Sequence, residues 1–313
     1  MMDQRLISLF GGVGIVLVIA SIAGFILSLR VKRDDARATV GNLNARLRAW
    51  WVMVAIFAIA FWFGKNATLV LFALASFYCL REFITLTPTR AADHRPVAAA
   101  FYLFLPLQYF LIGINWQSLF SIAIPVYGFL LLPVLAVFKG DTFDFLQRTS
   151  KIQWGLMLSV YCISHAPALL LLKVPNFEGS NVMLLFFLLC VVQISDVLQY
   201  AFGKLFGRWR VAPKVSPSKT WEGLIGGGLS ATAVGGWLWW ITPFTPLQAA
   251  VISLVIVVAG FCGGLVLSAV KRSLGAKDWG AMIAGHGGAL DRMDSVAFAA
   301  PIFFHLTNYF FVP

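Results

Sequence analysis

An all-α, polytopic membrane protein with about ten spanning helices is the fold class this sequence predicts, on three observations. Apolar residues make up 60% of the chain and charged residues only 12%, with a mean hydropathy of +0.84; soluble domains carry nearer a quarter charged, roughly twice as much. Apolar runs close to the roughly 20 residues needed to cross a bilayer recur from one end of the chain to the other. Lys and Arg collect between alternate runs rather than evenly.

The runs fall at 7–29, 49–64, 66–82, 97–114, 117–138, 153–173, 182–202, 223–242, 247–270 and 293–312, the second and third being the shortest. The first resembles a signal peptide only superficially, through Ala36-Arg37-Ala38. Its apolar core is longer than such a segment needs and its charge follows rather than precedes it, so it reads as an anchor helix. Segment 30–48 holds six Lys or Arg, 81–96 three, 139–152 three, 203–222 five and 271–292 four. The intervening segments hold only Arg5, Lys65 and Lys173. This alternation places the rich segments in the cytosol and both termini outside it. Within 30–48, the mixture of Arg30, Lys32, Arg33 and Arg37 with Asp34 and Asp35, then Leu43, Arg46, Leu47 and Arg48, reads as a solvated linker with a short interfacial helix.

The net charge of +11 follows from the same alternation. No basic run interleaved with stacking aromatics sits in a soluble domain, which excludes nucleic acid as a partner. Cys79, Cys162, Cys190 and Cys262 all lie inside apolar runs at irregular spacing and read as buried thiols, not as a disulfide framework or zinc site. His165 and His305 fall in the outer halves of apolar runs and read as packing or hydrogen-bonding residues. With no internal repeat or soluble module, residues 1–313 form one membrane domain: an N-terminal helical region (1–180), then a region (181–313) whose two cytosolic loops carry the chemistry.

The second of those loops is the more informative. Between two apolar runs it places Lys271, Arg272, Lys277 and Arg292 beside Asp278, Asp291 and Asp294, with Gly287 and Gly288 among them. Charge at a membrane boundary is costly unless it binds something. The cations can neutralise phosphates, and the carboxylates suit Mg²⁺, which takes one or two protein carboxylates plus substrate phosphate oxygens. Asp291 and Asp294, three apart, share a helix face, and a helix start after Gly287-Gly288 could receive phosphate. His286 has no His or Cys partner at ligand spacing, so zinc is disfavoured and the imidazole reads as a phosphate or loop hydrogen-bonder. The first loop begins at Asp196, an acid inside an apolar run and so a functional candidate by default. It continues through Lys204 and Lys214 to Ser216, Pro217, Ser218, Lys219 and Thr220, whose hydroxyls and ammonium could bind phosphate without the glycine frame of a Walker loop. Glu82, at the cytosolic end of the third run, either complements these basic loops or pairs with Arg81.

The spacing of Ser268, Lys271, Arg272, Lys277, Asp278, Gly280, His286, Gly287, Gly288, Asp291, Arg292 and Asp294 closely resembles the signature of the phosphatidate cytidylyltransferase (CDP-diacylglycerol synthase) family. The first loop is similar to the same family at Asp196, Tyr200, Gly203, Lys204, Gly207, Arg208, Ala212, Pro213, Lys214, Ser216, Pro217, Lys219, Thr220, Glu222 and Gly223. The likeness is strong over 190–295 and diffuse upstream, where only Glu82 and Phe83 share it; Ala284, Ala289 and the Val197-Leu198-Gln199 run depart from the pattern. The resemblance implies transfer of a cytidylyl group from CTP to phosphatidic acid, in a bacterial inner membrane, with the site facing the cytoplasm. It implies Mg²⁺, with room for a second cation, held by Asp291, Asp294, Asp278 and Asp196. Lys271, Arg272, Lys277 and Arg292 would meet phosphates. Lys214, Ser216, Lys219, Ser268, His286, Gly287 and Gly288 would complete the CTP and lipid-phosphate pocket. Acyl chains would enter from the bilayer, and a homodimer would be compatible with the family.

Rival classes fit less well. A transporter would show paired halves with broken helices at midplane, whereas the polar residues here gather at one edge of the C-terminal half. The aspartate pattern of CDP-alcohol phosphatidyltransferases and the Gly-x-Gly-Asp of intramembrane aspartyl proteases are both missing. A catalytically silent accessory protein is the remaining alternative, and CTP turnover separates it from an enzyme.

Overall fold

Each apolar run of the sequence is helical. The computed structural model describes residues 4–30, 34–280, 282 and 287–313, without the side chains at 4, 30, 34–39, 42, 43 and 46. His286 and Ala284 therefore lie outside the described residues, as do Lys32, Arg33 and the side chains of the 30–46 segment at Arg30, Asp34, Asp35, Arg37, Leu43 and Arg46. Helices α1 (Gln4–Arg30), α2 (Asp34–Trp62) and α3 (Lys65–Leu86) come first. Then follow α4 (Ala91–Gly113), α5 (Gln117–Val137), α6 (Phe145–Leu171) and α7 (Val182–Phe206). A hairpin of β1 (Arg210–Ala212) and β2 (Ser216–Thr220) leads to α8 (Gly223–Ile241), α9 (Pro246–Ser273) and α10 (Leu290–Phe311).

Among the described residues, eight of these helices are long and apolar enough to cross a membrane. The other two of the ten predicted spans differ in kind. The apolar part of α2 is only Leu47–Trp62, and it continues without a break from a polar helix beginning at Asp34. Helix α10 opens on charged residues, Asp291 and Arg292, with Asp294 a turn on. Apolar side chains on α1 such as Ile15, Val16 and Phe25 are more than 60% exposed (63%, 65% and 62%), as a surface facing lipid would be. Several helices carry a wide π turn: Ala100–Phe104 in α4, Ala123–Gly128 in α5, Met157–Cys162 in α6 and Gly223–Gly227 at the start of α8. Such turns interrupt the regular ladder and shift the facing of the residues beyond them.

The loops sort into two ends. At one, the Lys65 Nζ donates to Gly113 O (3.2 Å), Gln117 Nε2 to Asn308 Oδ1 (2.8 Å) and Asn181 Nδ2 to Leu170 O (3.2 Å). These are charge-poor segments. At the other, Arg90 and Arg148 share Asp141 (3.4 and 2.8 Å), Glu82 accepts from the Ala289 and Leu290 amides (both 2.9 Å), and Arg272 Nε donates to Val215 O (3.4 Å). Four of the five basic segments are thus tied to one another directly.

Lipid tails supply little drive for helix association, so close backbone approach between small residues matters. Helices α9 and α10 achieve it at Gly260, Gly263 and Gly264. A Cβ on Gly263 would stand 2.7 Å from the Asp294 carbonyl and 2.8 Å from the Phe298 Cβ. Around this contact a continuous core runs through Phe72, Phe83, Phe187, Trp279 and Phe303. His165 belongs to it: fully buried, its Nδ1 lies 2.8 Å from Tyr161 O, and its ring packs on Phe120, Tyr161, Phe304 and His305. The four cysteines are free; Cys79 is buried, whereas Cys262, on α9, is exposed rather than buried as expected.

The all-α expectation needs one correction. Ser216–Thr220 is not an irregular loop but a strand, antiparallel to Arg210–Ala212, pairing Arg210 with Thr220 and Ala212 with Ser216. Pro217 lacks an amide hydrogen, and a two-stranded ribbon tolerates that because its outer edge needs no donor.

Candidate active site

Helix α9 ends as its sequence dictates. Gly275 takes a left-handed φ of 74° and the Ala276 amide bonds back to Lys271 O at 2.9 Å, a turn that glycine makes without steric penalty. Lys271 sits in the last turn of α9 and Asp291 in the first turn of α10, each at the helix end whose dipole favours its charge. They form a buried ion pair, Lys271 Nζ to Asp291 Oδ1 at 2.5 Å. The other Asp291 oxygen accepts from the amides of Trp279 (2.8 Å) and Gly288 (2.9 Å). Trp279, almost fully buried, stacks on Phe83 with ring centroids 5.2 Å apart. Asp291 therefore ties Lys271, Trp279 and Gly288 to the start of α10.

One turn along α10 lies a second polar group. The Ser295 hydroxyl reaches Asp196 Oδ1 at 3.2 Å and Asp294 Oδ1 at 3.5 Å, and the Ser295 amide donates to Asp294 Oδ1 at 2.7 Å. The Lys219 ammonium enters from β2, donating to Phe261 O (3.1 Å) and lying 4.6 Å over the Phe261 ring. Any side chain at Gly264 would collide with that ammonium, and would come within 3.7 Å of Asp294 Oδ2. Burial lowers the pKa of Lys219, opposed by the carboxylates of Asp294 and Asp196. Among the described residues neither Asp196 nor Asp294 forms an ion pair, so both carboxylates keep acceptor capacity.

The predicted residues are thus divided. Asp196, Lys219 and Asp294 converge; Lys271 and Asp291 adjoin them as a closed pair. Asp278 is exposed, its Cβ 3.5 Å from where a Cβ on Gly287 would stand. Lys277 is exposed, as is Arg272, which bonds to Val215 O and Ala276 O. Lys214 is exposed in the hairpin turn near the half-buried Ser216, and the Ser268 hydroxyl donates to Gly264 O one helical turn back at 2.6 Å. Arg292, half-buried, follows Asp291 on α10.

Of the four acids expected at a metal, Asp196 and Asp294 meet at Ser295, Asp291 pairs with Lys271, and Asp278 stands exposed beside Gly287. Among the described residues no three of His, Cys, Asp and Glu stand together as a metal-binding group. Asp291 is turned inward onto loop amides and Asp278 outward. Nor is the start of α10 open to phosphate: the amides of Ala289 and Leu290 go to Glu82, and that of Gly288 to Asp291. Sequence reading missed this use of Glu82 and the parts played by Ser295 and the Gly263-Gly264 pair. The glycines were a readable signal, since small residues within an apolar helix mark a close crossing.

Fold and charges together define a polytopic helical membrane protein with a polar centre where its C-terminal helices meet at the basic end. Residues 44–310 match the cytidylyltransferase family, and the chain belongs to it. It is 40% identical over 312 residues to the uncharacterized protein YnbB of Escherichia coli K12, covering 99% of both chains. It is also 30% identical over 209 residues to the phosphatidate cytidylyltransferase of Rickettsia bellii, covering 64% of this chain and 86% of that one. With that of Haemophilus influenzae it shares 38% identity over 145 residues, 42% of this chain and 47% of the other.

Proposed function

We propose that the protein transfers the cytidylyl group of CTP to phosphatidic acid, releasing pyrophosphate and CDP-diacylglycerol. The observation that carries this reading is the convergence of Asp196, Asp294 and Lys219 from three separate elements at the basic end. Membership of the cytidylyltransferase family, and relatives named phosphatidate cytidylyltransferase, supply the substrates.

An oxygen of the lipid phosphate attacks the α-phosphorus of CTP, and the bond to the β-phosphate oxygen breaks. The nucleophile is already an anion, so no general base is needed. The barrier lies in bringing polyanions together and holding them in line. Lys219 supplies fixed positive charge between the carboxylates, and Arg292 a second cation a turn away. Arg272 and Lys277 at the rim draw in the triphosphate. Lys271 contributes by holding Asp291, and with it the loop, in place.

Two carboxylates with acceptor capacity suit Mg²⁺, which takes one or two protein carboxylates beside substrate phosphate oxygens. Asp196 and Asp294 would hold the ion; when bound, it would neutralise charge developing on the pyrophosphate. The basic loops face the cytosol, where CTP is found, both termini lie on the opposite side of the inner membrane, and ten helices cross it. Acyl chains stay in the bilayer.

Purified protein in lipid nanodiscs, given radiolabelled CTP and a panel of lipid phosphates with and without Mg²⁺, tests the proposal. Labelled CDP-diacylglycerol appearing only with phosphatidic acid and Mg²⁺ is the expected outcome. No nucleotide transfer to any lipid phosphate would overturn it.

A further inference from the structure

We propose that Glu82 is a positioning residue for the transfer reaction, fixing the start of α10 and through it Asp291 and Asp294; the inference rests on the transferase reading above. Glu82 lies in the last turns of α3, where the negative end of its own helix disfavours a carboxylate. It is nonetheless held there by another helix. Oε1 accepts from the Ala289 amide and Oε2 from the Leu290 amide, both at 2.9 Å. Those are donors that a helix start would otherwise leave without partners. The side chain caps α10 from more than two hundred residues away.

The fit is close on every side. A Cβ on Gly280 would stand 2.8 Å from Glu82 Oε1, and one on Gly288 2.6 Å from its Cδ. The next residue, Phe83, stacks on Trp279, so α3 contacts both Trp279 and the start of α10. The carboxylate also fills the place where a substrate phosphate would meet the α10 amides. Phosphate binding is thereby directed to the Lys219 and Arg292 side of the first turn. Glu82 touches neither Asp294 nor Lys219; it acts through the helix that carries Asp294.

Glu82→Ala, Glu82→Gln and Glu82→Asp in the full-length protein provide the test, with steady-state kinetics and backbone amide exchange over 287–292 measured without substrate. In Glu82→Ala, kcat is expected to fall by about 100-fold, the effect of a small misplacement of reacting groups, while KM for CTP stays close to wild type. Glu82→Gln keeps the shape and one acceptor and should lie between. Glu82→Asp, too short to reach both amides, should not rescue. Exchange at Ala289 and Leu290 should quicken in the same order as kcat falls. Unchanged kcat in Glu82→Ala, a loss confined to KM, or unaltered exchange would each overturn the assignment. If Glu82→Ala does not fold, Glu82→Gln carries both measurements. A wild-type protein without CTP turnover would defeat the transferase reading, and the exchange data would still decide whether Glu82 fixes the helix.

Discussion

Two charged clusters stand at the same end of this protein, and they are built differently. In the N-terminal half, Arg148, 5% exposed, bridges Asp141 (2.8 Å) and Asp93 (3.7 Å), while Arg90 joins Asp141 from outside and its amide bonds to Asp93 Oδ2. Charge meets opposite charge throughout. In the C-terminal half, Asp196 and Asp294 share one serine hydroxyl and a neighbouring lysine, and among the described residues neither has an ion pair. The first network is built of ion pairs that hold loops together, although Asp93 Oδ1 and Arg148 Nε, 3.7 Å apart, form no hydrogen bond; two carboxylates with no direct ion pair of their own are suited to receive a metal ion and phosphates from outside. The Lys271–Asp291 pair belongs to the first kind although it lies beside the second.

The contrast breaks most readily at Asp294. Asp294→Asn should lower CTP turnover by at least about 10²–10³-fold with helical content and thermal midpoint retained. An equal loss from Arg148→Met in folded protein would erase the distinction between the clusters. Chelating divalent cations should reversibly stop the wild-type enzyme, and activity that persists in chelator would remove the proposed role of Asp196 and Asp294. Removing one partner of a buried ion pair leaves the other uncompensated, so Lys271→Met and Arg148→Met should each destabilise by about 3–5 kcal/mol. Denaturation in detergent checks this, and the two should differ in that only Lys271→Met alters KM or kcat. Arg90, half exposed, should cost no more than about 1 kcal/mol on change to Ala.

The smallest effect concerns pH. Asp141 is held below its ordinary value of 3.8 first by the Phe143 amide, then by Arg148. A depressed carboxylate stabilises fully above its unfolded pKa, and that contribution fades as pH falls through the folded value. Acidification below about 3.8 should therefore weaken the wild-type protein more than Asp141→Asn. Parallel thermal midpoints across that window would count against this contribution of Asp141.

What was legible in the sequence follows from cost. Asp196 stood out because a carboxylate in an apolar run needs a reason, and Lys219 and Asp294 because their spacing matched a family pattern. The apolar runs located the helices of the described residues, and four of the five basic segments meet at one end. What stayed hidden depends on side-chain direction. Spacing puts Asp291 and Asp294 on one face but cannot say that Asp291 turns back onto the Trp279 and Gly288 amides. Glu82 could be read as a partner for Arg81 or for the basic loops, and its true partners, two main-chain amides, have no sequence signature. The π turns and the strand at Ser216–Thr220 were likewise invisible, since both arise from packing against neighbours.

The small-residue seam between α9 and α10 also bears on how the molecule is made. Asp294 and Ser295 ride on α10, which follows every other described helix in the chain, and they meet Lys219 only once that helix has docked against Gly263 and Gly264. Competence therefore waits for α10 to insert and dock. Synthesis arrested before Leu290 should leave an embedded chain that consumes no nucleotide, so half-built copies draw nothing from the cell's CTP.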